Sequence, residues 1–398
     1  MNKMLQFESE NKPVRKMNKK KLIFVIVAII ILIIIVIMAI LYSSHKPFRK
    51  FLDQYLFRKN VSEETLTAIS LDYDSNVSVI GYNKYICVLA ENVLRQYNNS
   101  GNLAGEIKLE ISNPIYRANN RYLAISEKNS QKFYLISGNK ILWEKETDGN
   151  ISKIDVNKNG YVTVILTGTT HKSVIVTYDA KGTELFKTYR SSTTALDATV
   201  APDNKYLAFA EIDTTGTNIQ SNIKIISIEK AKETPSESIV YTYEAPQNRL
   251  VTNIEYQDKN KLVCIYDDAI HIISDNKDEE IMKLQEEKKK INIADIRLSS
   301  HIYRTVEKQT GIFQADTTIE IMNTDSKKQT VYTVEGVVKN AYCYHNIIAV
   351  NLGQELEFIN TSGWLVKRYT SSQDIQSIAI AEGLAGIIYR DKVEIIHL

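Results

Sequence analysis

Beyond residue 65 the chain repeats one short motif eight times, and a sequence that recurs at a steady interval folds as a set of stacked units. An apolar stretch runs into a tight turn, and a tyrosine or aliphatic residue then opens a second apolar run. The clear copies are Asn83-Lys84-Tyr85-Ile86, Asn120-Arg121-Tyr122-Leu123, Asn159-Gly160-Tyr161-Val162, Asn204-Lys205-Tyr206-Leu207 and Asn260-Lys261-Leu262-Val263. Ser300-His301-Ile302, His345-Asn346-Ile347 and Glu382-Gly383-Leu384 are weaker copies. The equivalent positions Tyr85, Tyr122, Tyr161, Tyr206, Leu262, Ile302, Ile347 and Leu384 lie 37, 39, 45, 56, 40, 45 and 37 residues apart. Between them, short runs rich in Val, Ile, Tyr and Thr alternate with Asn, Asp, Gly and Lys, the pattern of antiparallel strands. A period near 40 with about four strands per unit predicts a β-propeller, all-β, with eight blades, or seven if one weak unit is misread.

The turns carry their own chemistry. Asn and Gly tolerate the positive φ of two-residue hairpin turns. A second hairpin reads Asn98-x-x-Gly101, Asp179-x-x-Gly182 and Asn360-x-x-Gly363. That spacing suits a type I turn followed by a left-handed glycine. The eighth unit, residues 375–398, holds strands for about three quarters of a blade. The missing outer strand is expected from Thr65–Leu71, so that the two ends of the domain pair and leave no open edge. Within the long fourth unit, 214–221 and 229–237 read as polar surface loops, and in the fifth unit 275–290 reads as a short helix or a ragged outer strand.

Upstream, Leu22 to Tyr42 is an unbroken apolar run without charge, proline or glycine. Twenty-one helical residues reach roughly 31 Å, enough for the ~30 Å hydrocarbon core of a bilayer. Seven basic residues against Glu8 and Glu10 give residues 1–21 a charge of +5. This bias predicts a cytoplasmic amino terminus and an extracellular ring, although Lys46, Arg49, Lys50, Arg58 and Lys59 weaken it. A cleaved signal peptide would have an apolar core of about 7–15 residues and a small-x-small site. Ala39-Ile40-Leu41-Tyr42 offers no such site, so an uncleaved single-pass anchor is the reading taken. The expected organisation is a basic head (1–21), a transmembrane helix (22–42), a juxtamembrane segment (43–64) and the propeller (65–398). In the juxtamembrane segment Phe48, Phe51, Leu52, Tyr55 and Leu56 recur at helical spacing, with Arg49 and Lys50 on the other face. These seven residues form the membrane-interface candidate, an amphipathic helix on anionic headgroups; a stalk helix under the ring is the alternative.

With a net charge of +2 over the whole chain, the part beyond residue 42 carries −3. Nucleic-acid binding, which needs a concentrated basic face, is not expected. Cys87, Cys264 and Cys343 form no C-x-x-C pair and read as buried small hydrophobes. The six histidines fall in separate units without ligand spacing, and no nucleophile elbow or phosphate loop occurs. One metal-like stretch exists. Asp155, Asn157 and Asn159, followed by Gly160, match the first half of a calcium loop, but its twelfth position is Leu166 where a carboxylate is needed. A plain hairpin turn is the competing reading. Asp72-x-Asp74-x-Asn76 is a weaker form of the same pattern. No other cofactor is expected.

The Tyr178–Phe186 and Phe358–Val366 hairpins resemble the strand-turn-strand of pyrroloquinoline-quinone-like and WD-repeat-like propellers. With the basic head and anchor, the whole chain resembles a family of membrane-anchored propeller proteins from clostridia and related Firmicutes. The resemblance implies fold and topology but no chemistry. No Trp-Asp dipeptide closes a blade, and Trp143 and Trp364 are the two tryptophans, too few for the docking ring of quinone enzymes. The expected function is a binding or scaffold module, not an enzyme, for a protein, peptide or cell-wall partner. A lyase or glycan-active propeller with its site at the ring axis is the alternative, which carboxylates or histidines clustered at one mouth would favour. A sensor signalling through the anchor ranks last, because the head is too short to receive a signal.

Overall fold

Strands that are apolar on both faces need cover on both faces, and a ring of sheets packed face to face supplies it. The computed structural model describes residues 19–44, 48, 52, 60–61, 65–71, 77–246, 249–287, 289–309 and 315–398. The chain divides into two units, Met1–Lys59 and Asn60–Leu398. The first contains α1 (Lys19–Ser44), one helix long and apolar enough to cross a membrane. The Ser43 and Ser44 hydroxyls donate to the Ile40 carbonyl at its carboxyl end, at 2.9 and 2.6 Å.

The second unit is an eight-bladed β-propeller. Blades I to VIII span 78–108, 114–146, 150–190, 193–244, 251–283, 290–335, 340–370 and 377–397. Blades I to VII each run in order from an innermost strand A to an outermost strand D. Blade VIII supplies three strands of its own, and its fourth is Thr67–Ser70, paired antiparallel with Lys392–His397 in the register Thr67↔Ile395 to Ser70↔Lys392. The backbone amides of Leu66 and Leu71 add bonds to the Ile395 and Asp391 carbonyls, both 2.8 Å. The two ends of the ring therefore clasp as the repeat count requires. An unforeseen fifth strand joins blade VII, where Asn60–Val61 pairs in parallel with Leu365–Thr370. The ring thus takes in two residues that the sequence reading assigned to the juxtamembrane segment.

Eight apolar clusters fill the ring, one between each pair of consecutive blades. Each fully buried Ile, Leu or Phe contributes roughly 1.5–3 kcal/mol, so these interfaces dominate the stability. The cluster between blades VIII and I holds Ile86, Leu384 and Ile395, with Leu66 and Ile69 of the closing strand packed against it. Outer strands face water and alternate less: Lys140–Glu146 is mostly exposed, and Lys277–Lys283 is the outer strand of the charged 275–290 segment. Residues 229–237 are not a loop. Ile228–Glu233 is a short helix capped by Ser227, whose Oγ accepts from the Lys230 amide at 3.4 Å, and Pro235–Glu237 continues as a 3-10 turn.

All eight repeat positions stand at the start of a B strand, as its first or second residue or the one just before it. The turns before them carry left-handed residues, among them Asn83, Asn120, Asn204 and His345, with φ between 51° and 61°. The second hairpin recurs with one geometry. Asn98, Asp179 and Asn360 each accept through Oδ1 from the amides two and four residues on, at 2.8–3.1 Å. Gly101, Gly182 and Gly363 follow with φ of 73°, 82° and 75°.

Closure also needs close approach. A Cβ on Gly81, in strand A of blade I, would stand 1.8 Å from the Ile380 carbonyl oxygen of blade VIII. Backbone cannot yield as a side-chain tip can. Gly81→Ala should therefore cost about 3 kcal/mol in guanidinium unfolding of the ring; a loss below about 0.5 kcal/mol would show that blades I and VIII do not meet this closely.

Candidate functional site

Strand A of every blade lines the axis, and alternate residues along it point inward. Charge accumulates there on one side. Arg117 comes from blade II, Lys153 and Asp155 from III, Asp197 from IV, Glu255 from V, and Asp295 and Arg297 from VI. The opposite side is lined by Gly81, Cys343, Ile378 and Ile380 from blades I, VII and VIII. Four carboxylates thus occupy inner strands of four consecutive blades, each held by a cation. Arg117 Nε lies 3.3 Å from Asp155 Oδ1, and its Nη2 donates to Glu255. Lys153 Nζ is 3.1 Å from Asp197 Oδ1, while the Ile254 amide donates to Asp197 Oδ2 at 3.0 Å. Arg297 Nε donates to both Asp295 oxygens, at 2.9 and 3.0 Å.

Tyr116, Arg117, Glu255 and Arg297 border two cavities. The chamber of about 400 Å³ reaches the A–B turns and is also lined by Asn120, Lys158, Gln257, Tyr344 and His345. The other, about 320 Å³, holds Asp155, Asp197 and Asp295. Burial pushes the Glu255 carboxyl up to about 7, against the opposing pull of Arg117. Burial raises Asp155 as well, and the neighbouring Asp197 charge adds to it. Burial also acts on Asp295, but there the hydrogen bonds and charge of Arg297 outweigh it and hold the carboxyl below the ordinary aspartate value. With Glu255 protonated, three cations face three carboxylates. The array can hold a proton near neutrality and orient polar groups, and its charges are satisfied from within.

The calcium-loop candidates do not converge. Asp155 faces Arg117 in the channel. Asn157 Oδ1 accepts from the Asn159 and Tyr161 amides at 2.9 and 3.0 Å, the same turn as at Asn98, Asp179 and Asn360. The Asn157 and Asn159 amide groups donate across to Asn204 Oδ1, at 2.7 and 3.1 Å, and to the carbonyls of Ala201 and Pro202. Their hydrogen bonds fasten blade III to blade IV. Among the described residues no group of three His, Cys, Asp or Glu side chains is placed to hold a metal ion. Of the membrane-interface set, Phe48 and Leu52 are described, both in helical conformations; Arg49, Lys50, Phe51, Tyr55 and Leu56 lie outside the described residues, as do Asp72, Asp74 and Asn76. Histidines remain dispersed, His271 for example pairing with Asp278 at 2.9 Å. Cys87 and Cys264 are buried thiols, pushed up by burial.

The axial residues other than Asp155 were not singled out from sequence. A signal existed: Ile-Asp-Val, Leu-Asp-Ala, Ile-Glu-Tyr and Ala-Asp-Ile each place one carboxylate in an apolar strand before a repeat turn.

A family model matches residues 57–398. The chain belongs to DUF5711, a family of unknown function. No curated protein matches this DUF5711 chain in sequence. In structure it is similar to BamB from Moraxella catarrhalis, with a TM-score of 0.50 and 12% identity over 84% of this chain and 99% of that one. It is also similar to Sqt1 of Chaetomium thermophilum, with a TM-score of 0.52 and 10% identity over 84% of this chain and 98% of that one. At such identities the likeness shows the propeller fold that DUF5711 shares with them.

The raised carboxyls fix a sign for pH dependence. Between about pH 4.5 and 7 folded Glu255 binds more proton than the unfolded chain, so stability is highest at the acid end and falls as pH rises. Asp155 acts in the same direction. Unfolding free energy should drop by about 3 kcal/mol from pH 5 to 7.5, and Glu255→Gln should flatten most of that slope. An unchanged slope in the variant would contradict the assignment.

Proposed function

We propose that this DUF5711 chain is a membrane-tethered binding module. Helix α1 anchors it, residues 1–21 lie in the cytoplasm, and the ring outside presents its loops to a protein, peptide or cell-wall partner. The observation that carries this reading is that, among the described residues, every axial carboxylate is paired with a cation, so none of the four stands free to act as a base. Propellers lend themselves to binding because their rigid blades hold many short turns on two faces.

A propeller enzyme acting at the axis is the second reading, favoured by one observation, the Glu255 carboxyl held near neutrality beside a cavity of about 400 Å³. The carboxylates sit within the channel rather than at its mouth, and Arg117 ties two of them down.

Protease added to intact cells should remove the ring and leave the anchor; a fully protected ring would overturn the orientation. Photo-crosslinking of the full chain in its native membrane should give discrete adducts to a partner from turn residues such as Lys84 or Lys181. Crosslinks no more frequent than those of an unrelated anchored protein would sink the binding reading.

A further inference from the structure

Between blades IV and V a cleft of about 230 Å³ is walled by Tyr206, Tyr241, Tyr243 and Tyr256, the last of which also borders the axial chamber. Tyr206, Tyr243 and Tyr256 pack against the apolar cluster between the two blades, and Tyr241 is 41% exposed. Tyr241 and Tyr243 stand two apart on the outer strand Ile239–Glu244, so both rings present to one face. Among the described residues none of these four phenols has a hydrogen-bond partner in the protein. The rim, from the C–D turn and the A–B turn of blade V, adds Asn260, Asp275 and Asn276, whose side chains are also without partners. Asp275 and Asn276 take φ of 49° and 61°, which fixes that turn. Lys259 and Asp275 are the two charged lining residues, one of each sign.

Deepening the binding reading, on which this rests, we propose that the tyrosine cleft is a subsite for a neutral sugar unit of a cell-surface glycan. Tyrosine rings offer flat apolar faces with a polar end, which suits a sugar ring with C–H faces and hydroxyl edges. The unpartnered groups include donors, acceptors and an acceptor-only carboxylate, and sugar hydroxyls answer all three. An unbroken run of prolines, the other occupant of aromatic grooves, has carbonyls but no backbone N–H for Asp275. The volume is below the roughly 300–1,000 Å³ of drug-sized sites, so the cleft takes one unit of an oligomer rather than a whole ligand.

The test uses the full chain in lauryldimethylamine oxide, a sugar-free detergent, with chitotriose, cellotriose and an acetylated octaproline amide as probes. Saturation-transfer NMR should show transfer to the ring protons of at least one sugar. Calorimetry should show about tenfold weaker binding for Tyr241→Ala and a smaller loss for Tyr256→Phe, which keeps the ring and removes only the hydroxyl. Tyr189→Ala, which removes an exposed tyrosine of blade III, should bind as wild type, and far-ultraviolet circular dichroism should confirm that each variant folds. No transfer to either sugar, sugar binding indifferent to Tyr241→Ala, or octaproline binding lost in Tyr241→Ala would overturn the proposal. Partner adducts in the crosslinking experiment together with silence from both sugars would reject this cleft while leaving the binding reading intact.

Discussion

The ring depends on closure. Each blade is a sheet with two apolar faces, and each face is satisfied only by the next blade, so an open array would leave two faces and a free strand edge in water. Pairing of Thr67–Ser70 with Lys392–His397 resolves the problem by building the last blade from both ends of the domain. Leu66 and Ile69 then complete the eighth cluster, and Gly81 lets blade I approach the backbone of blade VIII. Losing this pairing would uncover a core rather than one strand.

Closure also dictates what happens at the axis. Bringing eight inner strands together places Arg117 beside Glu255, 138 residues further along. Blades II to VI bring the carboxylates and their cations, so the ion pairs lie on one side of the channel. Buried charges taken from water are tolerated only in pairs, and removing one partner commonly costs about 3–5 kcal/mol. That penalty explains why every carboxylate here has a cation, and why the axis reads as a set of internal fasteners. On the binding function proposed above, recognition of a partner falls to the turns and to the clefts between blades.

Much of this architecture was legible in the sequence because it is local. The Asn turns and the Asn/Asp-x-x-Gly hairpins each lie within a few residues, the repeat shows as copies spaced near 40 residues apart, and the structure realises them in the same places. The Asp155 stretch was ambiguous for a physical reason: alternating oxygen side chains before a glycine suit both a cation and an Asx turn. In the structure Asn157 accepts from the amides of its own turn, as an Asx turn does. Residues 229–237 look polar because the helix they form is short and has only Ile228 and Ala231 buried. Strand Asn60–Val61 has two residues and no pattern to read. The axial array escaped because its members are far apart in the chain and meet only through the ring, and the tyrosine cleft, whose four tyrosines come from three separate strands with a rim from two turns, escaped for the same reason.

The most direct test of the closed ring is hydrogen exchange of the Leu66 and Leu71 amides under native conditions. If the chain ends clasp the ring, both amides should exchange through global unfolding, as slowly as those of the central strand Leu384–Ile388. Exchange at the rate of an unstructured peptide, while the inner strands of the other blades stay protected, would contradict the account.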